Sequence, residues 1–175
     1  MEFFDLVKKR RSIRKYKSDS VSDKNIEYIL NAARLAPSAK NRQCWRYVVV
    51  KDKKIIEKIA SSRPESKEWL AETPVMIVVC ADPNESSKRE GKELYLFDLG
   101  LSFEHLMLAA KDCGLATCCI GGFDEKTVKD AIGVPENMRV VAFTPLGYGA
   151  EEKGEVTDRK PLEEIVFYEK YGQKK

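Results

Sequence analysis

A chain of 175 residues is long enough for one domain with its own apolar core and short for two. With 43% hydrophobic and 34% charged residues it has the make-up of a soluble globular protein, and no apolar run approaches the roughly 20 residues that a membrane-spanning helix needs. The net charge is +3, yet residues 8–17 (KKRRSIRKYK) hold seven basic side chains and no acid, so the remainder is net negative; one compact cationic cluster argues for an anion site and against a broad nucleic-acid surface.

The opening Met-Glu-Phe-Phe-Asp has an early acid and no long apolar stretch, unlike a secretory signal, so a cytoplasmic location is expected. The first ten residues can form a helix with Phe3, Leu6 and Val7 on one side. Ser22 is placed to cap a second helix whose apolar residues Ile26, Ile29, Leu30 and Ala33 follow helical spacing, and Pro37 stops it near Ala36. Residues 46–51 (RYVVVK) are short and β-branched, which predicts a strand. Asp52 then caps a helix carrying Ile55, Ile56 and Ile59. Residues 75–81 (VMIVVCA) are apolar on both faces, the pattern of a central strand covered on two sides.

From about Glu90 to Cys113 the pattern predicts one long helix, apolar on more than one face and ended by Gly114. A helix that apolar belongs in a core or a subunit interface. A strand follows at 117–120, then Gly121-Gly122, then a helix capped by Asp124 and closed by Gly133, then a strand and turn over 139–148. The tail is polar from Glu151 until Ile165-Val166-Phe167-Tyr168, an apolar patch that needs a partner. Alternating helices and strands imply one sheet with helices on both faces, in a single domain spanning residues 1–175.

Four segments could carry chemistry. Arg10, Arg11, Ser12 and Arg14 lie where a helix gives way to extended chain; guanidinium forks match phosphate oxygens and the hydroxyl adds a short hydrogen bond, although a solvated basic face or a nucleic-acid arm fits the same spacing. The loop APSAKNRQCW at 36–45 holds Ser38, Asn41 and Gln43, side chains suited to the edge of a flavin or nucleobase, or simply to solvent. In GLATCCIGGF at 114–123, Gly121 and Gly122 would let backbone N–H groups approach a planar ligand, or would make a tight turn. Neither a GxGxxG fingerprint nor a Walker lysine is present. The fourth is DRKPL at 158–162, containing Arg159.

Five cysteines (Cys44, Cys80, Cys113, Cys118, Cys119) and one histidine (His105) fit neither a disulfide framework nor zinc spacing, and read as free thiols and a core or interface histidine. The pairs Glu151-Glu152 and Glu163-Glu164 read as surface runs. With no nucleophile–histidine arrangement, a side-chain-driven hydrolase is poorly supported, which favours a cofactor that brings its own chemistry.

In this order, the four segments resemble the FMN-dependent nitroreductase family over nearly the whole chain. RRSIRKY at 10–16 looks like its opening motif, APSAKNRQCW like its Pro-Ser-x-x-Asn-x-Gln-Pro-Trp loop, GLATCCIGGF like its Gly-Gly segment, and PLGYGAEE with DRKPLEEIVFYE like its closing block. The resemblance implies an α+β fold with a mixed central sheet and an intertwined homodimer, in which the late IVFY adds a strand to the partner's sheet and the long helix lines the interface. It implies that Arg10, Ser12 and Arg159 hold the FMN phosphate and that Arg11 contributes mainly backbone. Arg14 would approach the flavin pyrimidine, and Ser38, Asn41 and Gln43 would reach the cofactor from the opposite subunit. Gly121 and Gly122 would face flavin N5. The implied activity is ping-pong hydride transfer from NADH or NADPH to a nitroaromatic, quinone or enone, with the flavin rather than any side chain as the catalytic group, tuned by Arg14. No metal, membrane or nucleic acid is implied. A flavin carrier, sensor or flavin-metabolising relative without reductase turnover is the alternative.

Four departures from the family pattern stand out. Cys44 replaces the usual proline, Cys119 replaces a common tryptophan, and Glu104-His105 stands where Glu-Asn or Gln-Asn is frequent. No large insertion flanks the long helix, which implies an open pocket.

Overall fold

The computed structural model describes residues 2–175. In chain order the elements are α1 (Phe3–Lys9), α2 (Asp23–Arg34), β1 (Trp45–Val50), α3 (Lys53–Ser61), α4 (Lys67–Ala71), β2 (Val75–Ala81), β3 (Lys88–Arg89), β4 (Lys92–Glu93), α5 (Leu94–Asp112), β5 (Ala116–Thr117), α6 (Glu125–Ile132), β6 (Arg139–Gly147) and α7 (Leu162–Ile165). The helix starts fall where short acceptor side chains satisfy free N–H groups: Ser22 accepts from Asn25 at 3.2 Å, Asp52 from Lys54 and Ile55 at 2.9 and 3.0 Å, and Asp124 from Thr127 at 2.7 Å. Gly133 closes α6 and Gly114 follows α5, both in the left-handed region.

The main sheet runs β1-β2-β6-β5, and its named ladders are antiparallel; the parallel component is a bridge between Ser12 and Thr117. Every residue of β2 is buried, and the pleat divides them between two cores. Val75, Ile77, Val79 and Ala81 pack with α2 and α5 on one face. Met76, Val78 and Cys80 pack with α3, α4 and α6 on the other. Full burial of each such Val, Ile or Met side chain contributes about 1.5–3 kcal/mol, and this two-sided burial fixes β2 at the centre. Among the described residues no helix is long and apolar enough to cross a membrane.

Two elements differ from the sequence reading. The long helix begins at Leu94, because Glu90 and Gly91 both adopt positive φ (51° and 78°) and turn β3 onto β4 as a hairpin. The strand expected at 117–120 is broken in the middle. Ala116 and Thr117 pair with Gly147 and Leu146, and Ile120 exchanges both backbone bonds with Phe143 in the same register. Between them lies Pro145, which has no N–H to give to the facing Cys118 carbonyl, and the Cys118 N–H donates to the Thr144 hydroxyl at 3.1 Å.

Helix α5 buries one face, including Asp98, Leu99, Ser102, Phe103 and Leu106, while Leu96 and Phe97 stay exposed. His105 is exposed on this helix, with Nδ1 3.3 Å from the Ala32 carbonyl, so it is not a core residue of the single chain. Phe3, Phe4 and Val7 of α1 are exposed too. In the tail, Leu162–Ile165 close a helical turn and Val166 is extended, so the apolar stretch 165–168 forms no strand with the rest of the chain; Ile165 and Tyr168 remain exposed. Cys44, Cys80 and Cys118 are buried, Cys113 is half-buried and Cys119 is exposed.

Candidate functional site

The basic segment leaves α1 in extended form and lies against the 114–122 segment. The Ile13 N–H donates to the Thr117 carbonyl at 3.1 Å and Tyr16 bridges Gly149, so residues 12–16 lie beside both chain stretches. Lys153 Nζ donates to the Ser12 carbonyl at 2.9 Å and pairs with Glu151 at 3.1 Å. The Arg14 N–H donates to Glu151 Oε1 at 2.7 Å; that hydrogen bond, with help from Lys153, holds the Glu151 carboxyl below the usual range. Glu151 is therefore an engaged residue and not part of a surface run. The packing produces a cleft of about 340 Å³ lined by five cations (Lys9, Arg10, Arg11, Lys111, Lys153) and two carboxylates (Glu151, Glu152).

Three of the four residues picked out in this segment keep groups available. Arg10 is 20% exposed and has only a loose pairing, Nε to Glu104 Oε1 at 3.8 Å. Burial raises the Glu104 pKa and Arg10 partly offsets the rise. The Arg14 guanidinium and the Ser12 hydroxyl make no hydrogen bond or ion pair among the described residues. Arg11 is different: its guanidinium is committed to the Gly154 carbonyl.

Ser12, Arg14, Gly121 and Gly122 do not themselves line the basic cleft, and Gly121 lines a separate small recess with Phe123, Glu125 and Arg139. Arg10 and Glu104 both act on the Cys119 thiol, whose pKa is raised first by desolvation and then by Cys118, so the basic segment and the start of the Gly-Gly turn share one neighbourhood. The carbonyl of Gly122 accepts from Arg63 Nη1 at 2.8 Å, whereas the N–H groups of both glycines donate to nothing among the described residues. Neither glycine has positive φ, and a Cβ on Gly121 would meet no atom within 4 Å. Neither backbone geometry nor internal packing demands glycine there. Two unpaired N–H donors at the end of the segment that Ser12 bridges at Thr117 fit an anionic ligand with a flat polar ring such as FMN, long enough to reach from the basic segment to the glycines.

The loop with Ser38, Asn41 and Gln43 is shaped independently. Lys40, Asn41 and Gln43 all sit at positive φ (55°, 55° and 50°), a conformation costly for side-chain-bearing residues and persistent only when surroundings enforce it. The enforcement is visible. Ser38 Oγ accepts from the Gln43 N–H at 3.0 Å, Gln43 Nε2 donates to the Asn41 carbonyl at 3.0 Å, and Arg42 Nη1 donates to the Ser86 carbonyl at 3.0 Å. Asp98, 1% exposed, accepts from the Ala39 N–H at 2.9 Å and from Ser86 Oγ at 3.4 Å.

This loop is not brought to the basic cleft within one chain. It is tied to α5 at Asp98, whereas Arg10 meets α5 at Glu104, and six residues of helix turn the face by about 240°. No hydrogen bond or ion pair joins residues 38–43 to residues 10–14 or 119–122 among the described residues. Arg159 is likewise apart: it is exposed, makes no ion pair among the described residues and does not line the cleft. Motif spacing did not single out Asp98, Arg63 or Lys153, and it gave Glu104 and Glu151 no role in a site. For Asp98 a signal existed, a lone carboxylate inside the apolar run YLFDLG, because such a residue is rarely buried without a task.

The comparisons with known proteins agree over most of the chain. The model of the nitroreductase family matches residues 7–65 and 60–148. An Archaeoglobus fulgidus protein provisionally named NADH dehydrogenase/NAD(P)H nitroreductase is 35% identical over 156 residues, 87% of this chain and 88% of that one. Among solved structures, a nitroreductase family protein from Clostridium novyi is 35% identical with a TM-score of 0.82, covering 99% of this chain and 97% of that chain. An FMN-dependent nitroreductase from Clostridium difficile is 28% identical with a TM-score of 0.86, covering 97% and 100%.

Proposed function

The chain belongs to the nitroreductase family, an oxidoreductase family, and from that premise we propose that it is an FMN-dependent enzyme that takes a hydride from NADH or NADPH and delivers it to a nitroaromatic, quinone or related acceptor. The observation that carries this reading is the Ser12–Thr117 bridge. It lays the chain that carries Arg10, loosely paired with Glu104, and the unpaired Arg14 guanidinium along the segment ending in the unpaired Gly121 and Gly122 N–H groups. When bound, FMN supplies the redox chemistry; the chain supplies position and charge.

In this reading Arg10 and the Ser12 hydroxyl hold the phosphate, and Arg159, exposed in the single chain, closes over it once a second copy packs against the tail. Arg14 sits at the pyrimidine side, where a fixed cation favours the more negative, reduced state of the ring. The Gly121 and Gly122 N–H groups direct the reactive edge. Ser38, Asn41 and Gln43 of the partner subunit supply the opposite wall, which accounts for their position on the other side of α5.

The homodimer that this requires has a surface to form on. Phe3, Phe4 and Val7 on α1 and Leu96 and Phe97 at the start of α5 are exposed large apolar side chains that a partner subunit would cover. Strand β1 is a sheet edge, and an apolar cleft of about 750 Å³ bordered by Ile26, Leu30, Trp45, Tyr47 and Val49 runs along it. Residues 165–168 of a second copy suit that edge.

Purified protein tests the reading directly. Flavin absorbance, or saturable uptake of added FMN, together with anaerobic bleaching by NADH or NADPH, is the expected result. Colourless protein that takes up no FMN would overturn it, and FMN bound but bleached by neither nicotinamide would leave a flavin-binding protein without reductase turnover.

A further inference from the structure

The second basic cleft lies away from Arg10, between the 38–43 loop and the β3–β4 hairpin, and has a volume of about 430 Å³. Four cations line it, Lys40, Arg42, Lys88 and Arg89, and no carboxylate does. Their commitments differ. Lys88 is paired with Glu93 at 2.6 Å, and Arg42 spends one donor on the Ser86 carbonyl and keeps the rest. Arg89 approaches only Glu90, at 3.9 Å with both side chains largely in solvent. Lys40 has no ion pair among the described residues, although it is held at a φ of 55°.

A second observation points the same way. Ser87 lines this cleft, and its hydroxyl is the buried side-chain polar atom that finds no hydrogen-bond partner among the described residues. Buried hydroxyls are nearly always satisfied, and rotation about its single side-chain bond would let this one meet an oxyanion held in the cleft. An oxyanion supplies what the hydroxyl and the cations both lack. Lys40 and Arg42 have no carboxylate partner among the described residues, and an anion between them would relieve their mutual repulsion.

We propose that this cleft is an anion subsite that receives a phosphate or carboxylate group carried by the nicotinamide donor or by the electron acceptor. The inference rests on the flavin reading above, because the loop that holds Lys40 and Arg42 also holds Ser38, Asn41 and Gln43. Two sources share the chemistry: the 2′-phosphate that distinguishes NADPH from NADH, and the carboxylate of an acidic acceptor.

The test uses FMN-loaded wild-type protein and the double variant Lys40→Asn/Arg89→Gln; asparagine is chosen because it tolerates positive φ. Calorimetric titration compares adenosine 2′,5′-bisphosphate with AMP, and 4-nitrobenzoate with nitrobenzene. The expected result is that wild type favours the member bearing the extra anion in one of the pairs by about tenfold, and that the double variant loses most of that preference. Preference in the adenosine pair identifies the donor's phosphate, and preference in the nitro pair identifies an acidic acceptor. Wild type that discriminates in neither pair, or a double variant that discriminates as well as wild type, would overturn the subsite. Flavin absorbance of the same samples keeps the two readings apart: wild type without FMN counts against the flavin assignment, whereas FMN retained without anion preference counts against the subsite alone.

Discussion

The Asp98 carboxylate, buried on α5, accepts the backbone N–H of Ala39 at 2.9 Å and so anchors a loop in which three side-chain-bearing residues adopt positive φ. A buried carboxylate is expensive to keep in a core without a cation, and here its two hydrogen bonds go to the loop and to Ser86 at the approach to the β3–β4 hairpin. Asp98 is thus a positioning residue for Ser38, Asn41 and Gln43. Replacing it by alanine strands the Ala39 N–H and should cost about 1.5–3 kcal/mol of stability, with weaker FMN binding. Asp98→Asn keeps an acceptor oxygen and should restore most of both. Thermal unfolding with and without FMN checks this; an asparagine variant as damaged as the alanine one would show that the hydrogen bond to the loop is not what matters.

Arg10 has a single loose partner in Glu104, so most of its donors are available to a ligand. Arg10→Ala should weaken FMN binding by about 1.5–3 kcal/mol, roughly ten- to a hundredfold. The Glu104 carboxyl should titrate still higher, because Arg10 is the leading influence holding it down against burial. Quenching of flavin fluorescence measures the first effect and pH titration by NMR the second; unchanged affinity would remove Arg10 from the cradle.

Glu151 predicts a pH dependence with a definite sign. Its folded-state pKa is lowered, chiefly by the Arg14 N–H. Its contribution is therefore complete above the ordinary carboxylate pKa of about 4.3 and is lost as the pH falls through the lower folded value. Glu151→Gln removes the charge while keeping an acceptor. It should lower stability near neutrality slightly and flatten the acid limb of the stability curve. Urea midpoints measured between pH 3 and pH 7, the range set about that reference value, would reveal parallel acid limbs if Glu151 were not coupled to folding.

Phe97, 66% exposed in the single chain, should tolerate a charge if it faces solvent. The proposed dimer predicts the reverse: Phe97→Arg should shift the protein toward monomer and release FMN. Light scattering after size exclusion settles it, and a Phe97→Arg protein that stays dimeric with its flavin would place the interface elsewhere.

Much of the fold is legible in local chemistry. Ser22, Asp52, Asp124 and Gly133 mark helix ends because a cap needs only its neighbours, and β2 is legible because a strand buried on both faces is apolar throughout. What escaped local reading depends on distant partners. The β3–β4 hairpin hides in a charged run whose turn is Glu90-Gly91, outside the common asparagine and aspartate signals. The gap between Thr117 and Ile120 comes from Pro145, nearly thirty residues further along. Positive φ at Lys40, Asn41 and Gln43 is imposed from Asp98 and Ser38, and no propensity of lysine or glutamine foretells it. The candidate residues were named by motif, yet their division between two faces of α5 needs the helix itself.

That division has a genetic consequence under the proposed dimer. An Arg10→Ala copy and a Ser38→Ala copy each spoil both pockets of their own homodimer. Co-assembled, they concentrate both lesions in one pocket and leave its twin wholly wild type. Two impaired proteins unfolded and refolded together should therefore recover up to one normal pocket's worth of activity per mixed pair, half that of a wild-type dimer, whereas two lesions drawn from the same face, such as Arg10→Ala and Gly121→Val, should never rescue each other.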